Sequence, residues 1–271
     1  MVATCLALGC GGKTEPLVYH SKPLKLLPEC RVEGAKRECT SICGKGKETC
    51  IDGEWQQCNA RRPKPPKLEA VVRDFSDTHP DFEQPGVYGQ LDQGIVKDEL
   101  GPDDEPVYGD HESTPTTTGK EYFDMWFHDV PENVTLGAEI ALTPSTTEPG
   151  VFIYENNAFF PIDGQGLGNQ GRSHNYHFTL ELHTLFRYVG GETFSFSGDD
   201  DLWVFINRRL AIDIGGRHDT LSDSVDLDEA ADKLGLELEH DYPLHLFFAE
   251  RHTVGSHFNI HTTIAEFQFC E

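Results

Sequence analysis

The sequence predicts a mainly β protein, an antiparallel β-sandwich or β-barrel with a small disulfide-rich N-terminal module. Three observations predict it. From Leu68 onward, apolar residues fall in short alternating runs divided by Gly, Asn and Asp clusters, the pattern of strands and turns. Five of the eight cysteines lie between Cys30 and Cys58, a density that staples exported modules too small to fold on an apolar core. Only "SVDLDEAADKLG", Ser224 to Gly235, reads as a helix, with Gly235 as its stop.

Taken in order, the chain starts with "MVATCLALGC", a short apolar run ending in Ala-Leu-Gly-Cys. It resembles a bacterial lipoprotein box with Cys10 as the lipidated residue, although no basic leader precedes it and Ala7 stands where Leu is usual. Gly11 after the cysteine is compatible with outer-membrane delivery. Residues 1–10 are thus expected to be a signal and lipobox remnant and 11–29 a polar tether. Residues 30–58 would form the cysteine-rich module, 60–67 a Pro-rich basic linker and 68–271 the β domain. With Cys5 removed and Cys10 acylated, Cys30, Cys39, Cys43, Cys50, Cys58 and Cys270 remain as disulfide candidates. The odd number in the N-terminal cluster implies that one of them reaches Cys270. Zinc is the weaker alternative, because no C-x-x-C pair occurs. Within the module, "ETCIDGEWQQC" reads as a hairpin turning at Asp52-Gly53.

In the β domain, "YHFTLELHTLFRYV" places Tyr176, Phe178, Leu180, Leu182, Thr184 and Phe186 on one strand face. His177, Thr179, Glu181 and His183 share the other. "ETFSFSG", "LWVFIN", "LAIDIG", "YPLHLFFAER" and "FNIHTTIAEFQF" follow as further strands. Residues 98–119 show no periodicity and are expected to be a long surface loop. Asn207-Arg208 is a poor two-residue turn, so its hairpin is expected to be loose or extended.

Lys+Arg number 22 against 46 Asp+Glu, a formal net charge of −24 that repels a polyanion and argues against nucleic acid as a partner. It suits a cation-binding or highly soluble extracytoplasmic protein. No run approaches the ~18 consecutive apolar residues of a membrane-spanning helix. The chemistry concentrates at Asp199, Asp200 and Asp201, between two strands. Neighbouring carboxylates about 5 Å apart repel by roughly 3 kcal/mol at an effective dielectric near 20, so they require water or a counter-charge.

"FSFSGDDDLWVFIN", with "VVRDFSDTHPDFE", "GIVKDELG", "YFDMWFHDVP" and "AFFPIDGQGLGN" before it, resembles the fibro-slime domain. That domain lies within the β-barrel superfamily named for the anthrax protective antigen and shared with yeast flocculins. The resemblance spans roughly residues 68 to 269. It implies an adhesin-like, carbohydrate-binding β domain at the cell surface or secreted, in which two adjacent aspartates joined by a cis peptide hold Ca²⁺ for sugar hydroxyls. Those two positions fall on Asp199 and Asp200. Asp201 and the loop residues Arg251, Ser256 and Asn259 are the further ligand candidates, with Arg251 alternatively pairing with an aspartate. The implied partner is a glycan or polysaccharide of matrix or neighbouring cells, with the membrane reached only through the lipid anchor. The alternative is a structural or protein-docking envelope module that binds no sugar.

An enzyme is not expected. Glycosidase carboxylates face each other across a sugar at about 5–9.5 Å, a placement that neighbours on one loop rarely reach. No nucleophile elbow, H-E-x-x-H helix or P-loop occurs. Trp126 and Trp203 are expected to be core residues. His177 and His183, six apart on a strand, are about 20 Å apart and cannot share an ion.

Overall fold

The computed structural model describes residues 30–41, 44–56, 67–83, 89–253, 255–265 and 267. Cys10, Cys43, Cys58, Cys270, the tether and most of the Pro-rich linker lie outside them. The chain divides into two compact units, Met1–Ala60 and Arg61–Glu271.

The first unit carries β1 (Lys36–Ser41), β2 (Gly44–Ile51) and β3 (Glu54–Trp55), an antiparallel sheet in that order. β2 and β3 join through Asp52 and Gly53 at φ 53° and 82°, the left-handed pair that the Asp-Gly hairpin requires. A disulfide links Cys30 to Cys50 with Cα atoms 5.7 Å apart, and Cys39 is disulfide-bonded as well. The Arg37 guanidinium lies 4.5 Å from the Trp55 ring centre and pairs with Glu48.

The second unit is a sandwich of two antiparallel sheets, without closure into a barrel. Its strands are β4 (Lys67–Phe75), β5 (Asn133–Ala141), β6 (Thr143–Pro144), β7 (Phe152–Asn156), β8 (Phe178–Tyr188), β9 (Thr193–Gly198), β10 (Asp201–Ile206), β11 (Arg209–Ile214), β12 (Leu221–Asp226), β13 (His240–Glu250) and β14 (Phe258–Thr262). One sheet runs β11-β10-β13-β8-β4-β5 and the other β12-β9-β14-β7-β6. Between them lies the main core, built from alternate residues such as Phe178, Leu180 and Leu182 of β8, Leu244, Leu246 and Phe248 of β13, Phe194 and Phe196 of β9, and Phe258 and Ile260 of β14. The alternation read in β8 thus sets its inward face.

A short helix, α1 (Lys120–Phe123), precedes β5, and α2 (Leu227–Leu234) follows β12. The Asp226 side chain caps α2 by accepting the N–H groups of Asp228 and Glu229 at 2.9 and 3.2 Å. Gly235 ends it at φ 68°.

Two expectations are corrected. The segment 98–119 is not a bare surface loop, because Leu100, Tyr108, Thr116 and Thr117 are buried in it. The reason is the six-stranded sheet's second face, where Trp203, Phe205, Phe247 and Ala249 are apolar. These residues pack with Ile95, Val96, Leu100, Tyr108, Phe123, Trp126 and Phe127 as a second core. "LWVFI" is accordingly a continuous apolar run, the mark of a strand buried on both faces. The Asn207–Arg208 turn is tight rather than loose: both residues adopt positive φ, 51° and 65°, and Ile206 pairs directly with Arg209. Side-chain bonds hold it there, Asn207 Nδ2 donating to the Leu234 carbonyl at 2.8 Å and Arg208 to the Gly101 carbonyl. Trp126 and Trp203 are core residues, both fully buried.

Candidate functional site

β9 belongs to the five-stranded sheet and β10 to the six-stranded one, so Asp199 and Asp200 occupy the link where the chain changes sheets. The expected cis bond is absent, since no cis peptide occurs among the described residues. The turn is made instead by Asp200 at φ 53°, a left-handed conformation that Asp tolerates better than most residues.

The three carboxylates have different surroundings. Asp201, expected to face ligand, is fully buried and paired with an equally buried Arg251, with Nε at 2.5 Å and Nη2 at 3.0 Å from its oxygens. The Gly216 N–H donates to Asp201 at 2.7 Å. The remaining Arg251 donors reach the Asp81 and Thr116 carbonyls at 3.1 and 2.6 Å. The guanidinium carbon also lies 4.7 Å from the Trp126 ring centre. Of the two roles weighed for Arg251, the structure gives it the pairing one, and neither Arg251 nor Asp201 reaches solvent.

Asp200 is buried and accepts the Arg251 backbone N–H at 2.8 Å. Burial pushes its carboxyl up to about 7, against the pull of the Arg251 charge. Asp199 is the most accessible of the three. It accepts from Thr220 Oγ1 at 2.5 Å and bonds His257 Nδ1.

Sequence reasoning missed Glu250. Ala249 pairs with Asp201, so the next residue, Glu250, is carried alongside Asp200. Glu250 is 1% exposed, and the Ser256 hydroxyl and the His252 backbone are the groups bonded to its carboxyl. Burial, then the Asp200 charge, pushes its carboxyl well above the usual range. Ser256, one of the expected ligand residues, lies fully buried with its hydroxyl against the Glu250 carboxyl. The available signal was a carboxylate closing the apolar run "LHLFFAE". Asp199, Asp200, Glu250 and Ser256 supply hard oxygen donors, the type calcium takes, and the charges of Arg251 and the buried Arg217 also face Asp200. Their ligand atoms do not form a converged trio of the kind found elsewhere in the chain.

Asn259 lies apart, on the outer face of the five-stranded sheet. With Ser195, Ser197, Ser222, Ser224 and His261 it lines a groove of about 570 Å³. Register connects groove and aspartates. Ser197 pairs with Asn259 and Gly198 with Phe258, which puts Asp199 opposite His257 at the end of the same row.

Residues 149–266 match the sequence profile described as PA14 domain. Protein psiQ of Dictyostelium discoideum is 42% identical over 212 residues, covering 73% of this chain and 21% of that protein. Protein psiC of the same organism is 37% identical over 214 residues, covering 73% and 40%. The chain thus spans between a fifth and two fifths of the length of these relatives. Among solved structures, the PA14 domain of the MpAFP antifreeze protein aligns at TM-score 0.27 and 9% identity, over 42% of this chain and 65% of that one. The Epithelial Adhesin 6 A domain of Candida glabrata, solved with Galb1-3GlcNAc, aligns at TM-score 0.31 and 16% identity, over 74% and 80%. No described helix is long and apolar enough to cross a membrane. The stretch similar to a PA14 domain, residues 149–266, contains Asp199, Asp200, Asp201, Glu250, Arg251 and all of the five-stranded sheet except β6.

Proposed function

We propose that the chain is a fibro-slime-type recognition module, not an enzyme, that binds carbohydrate of matrix or neighbouring cells through Ca²⁺ held at Asp199 and Asp200. The observation that carries this reading is the fully buried carboxyl of Glu250 set beside that of Asp200. A calcium ion would neutralise these carboxylates and leave coordination positions for ligand hydroxyls. The Arg251 backbone N–H fixes the Asp200 carboxylate, while Thr220 and His257 orient that of Asp199. The hydroxyl-rich and amide-rich groove lined by Asn259 and by Ser195 and Ser197, on the strand that leads into Asp199, offers the donors and acceptors that a sugar needs. The module would act outside the cytoplasm, as a secreted or surface protein, with Cys10 the proposed lipid anchor. A second reading, a structural or protein-docking module, draws on the Asp201–Arg251 pair, which shows that part of the acidic triplet serves the fold.

A glycan array probed with the labelled 271-residue chain separates the two. The first reading predicts binding in millimolar CaCl₂ that EDTA removes, that Asp199→Asn/Asp200→Asn abolishes and that Asn259→Ala weakens. Binding to no glycan in either condition would leave the docking reading in its place.

A further inference from the structure

On the outward face of β8, away from the main core, Glu181 and His183 stand two residues apart. The pairing of β8 with β13 sets His245 directly opposite His183, and their Nδ1 atoms are 2.6 Å apart. The covering segment brings Glu105 to the same place: ligand atoms of Glu105, Glu181 and His183 all lie within 4.8 Å of one another. This is the only such trio of His, Cys, Asp or Glu among the described residues.

Charge and satisfaction both leave room for a cation. Arg73 is the basic residue bonded here, and it is divided between Glu181 at 2.9 Å and Asp129 at 2.9 Å. One guanidinium therefore serves two carboxylates, with Glu105 a third nearby. Glu105 meets the Glu181 carboxyl side by side, and the buried His245 Nε2 has no hydrogen-bond partner among the described residues. At this distance one imidazole donates its Nδ1 proton to the other, a hydrogen bond that fixes the orientation of the His183 ring. The site is also reachable, since His183 is exposed and, with Glu181, lines an open groove of about 630 Å³.

We infer that Glu105, Glu181 and His183 form a site for a divalent transition metal of the zinc class, with His245 hydrogen-bonded to His183 behind it. Mixed imidazole and carboxylate donors select such an ion over calcium, which takes oxygen ligands. The site is therefore chemically distinct from the all-oxygen set at Asp199 and Asp200. Its structural effect would be to clamp the segment carrying Glu105 onto the six-stranded sheet.

The test is calorimetric titration of ZnCl₂ into the untagged 271-residue chain, stripped with EDTA, dialysed, and kept in excess CaCl₂ so that oxygen sites are occupied. The expected result is one zinc per chain, with a Tm rise of about 5–10 °C once zinc exceeds Kd a hundredfold. His183→Ala, at an exposed position, and Glu105→Gln should each weaken zinc binding at least about tenfold, the scale on which a lost ligand contact reads. His261→Ala, on the other sheet, should bind as the wild type. Absence of zinc binding, or binding unchanged in both His183→Ala and Glu105→Gln, would overturn the inference.

Discussion

Arg251→Met is expected to destabilise the β domain by about 3–5 kcal/mol, because it leaves the Asp201 carboxylate buried without its counter-charge. Asp201 and Arg251 are both fully buried, and the guanidinium also satisfies two backbone carbonyls from distant segments, those of Asp81 and Thr116. At about 2–4 °C per kcal/mol for a domain of this size, Tm should fall by roughly 6–20 °C. Arg251→Met/Asp201→Asn should recover part of the loss, since removing the stranded charge removes the largest penalty. Calorimetric unfolding of the three proteins checks this. A single-variant loss below about 1 kcal/mol, the range of an exposed pair, would mean that the ion pair is not buried in solution.

Trp126→Ala should cost a similar amount, about 3–5 kcal/mol, by opening a cavity in the second core. Trp126 contacts Phe82, Phe123, Phe127 and Trp203, with ring centres 4.9 to 6.4 Å apart. It also presents its face to Arg251, a contact worth about 0.5–2 kcal/mol. Trp126→Phe should keep most of the packing and lose much less. Urea unfolding of both variants is the measurement. Equal stabilities of the alanine and phenylalanine proteins would show that the covering segment is not held by this ring.

Much of this fold is legible in the sequence because its signals are local. The alternation of "YHFTLELHTLF", the Asp52-Gly53 turn and the Asp226 to Gly235 helix each depend on residues within one element. What escaped depends on pairing between elements far apart in the chain. Residues 98–119 look like a loop because their apolar residues follow the surface they cover, the outward side of Trp203 and Phe247, and not a period of their own. The Asn207–Arg208 turn is held at positive φ by carbonyls of Gly101 and Leu234, which no local rule includes.

The site divides in the same way. Three adjacent aspartates are visible as a problem in electrostatics, but their solutions are set by register across β10 and β13. That register gives Arg251 to Asp201 and brings Glu250, a residue with no motif of its own, beside Asp200. Asn259 was found from its loop, yet it serves a sheet-face groove whose serines come from β9 and β12. The neutralisation of the triplet is thus divided: Arg251 pairs with Asp201, the Arg251 N–H and the Arg217 charge face Asp200, and Thr220 and His257 bond Asp199.

The central claim is tested most directly by thermal unfolding of the 271-residue chain in EDTA and in millimolar CaCl₂, beside Asp199→Asn/Asp200→Asn. The account predicts that calcium raises the wild-type Tm by about 5–10 °C when it exceeds Kd a hundredfold, and that the double variant does not respond. An unchanged wild-type Tm, or an equal rise in the variant, would contradict a calcium ion at the aspartates.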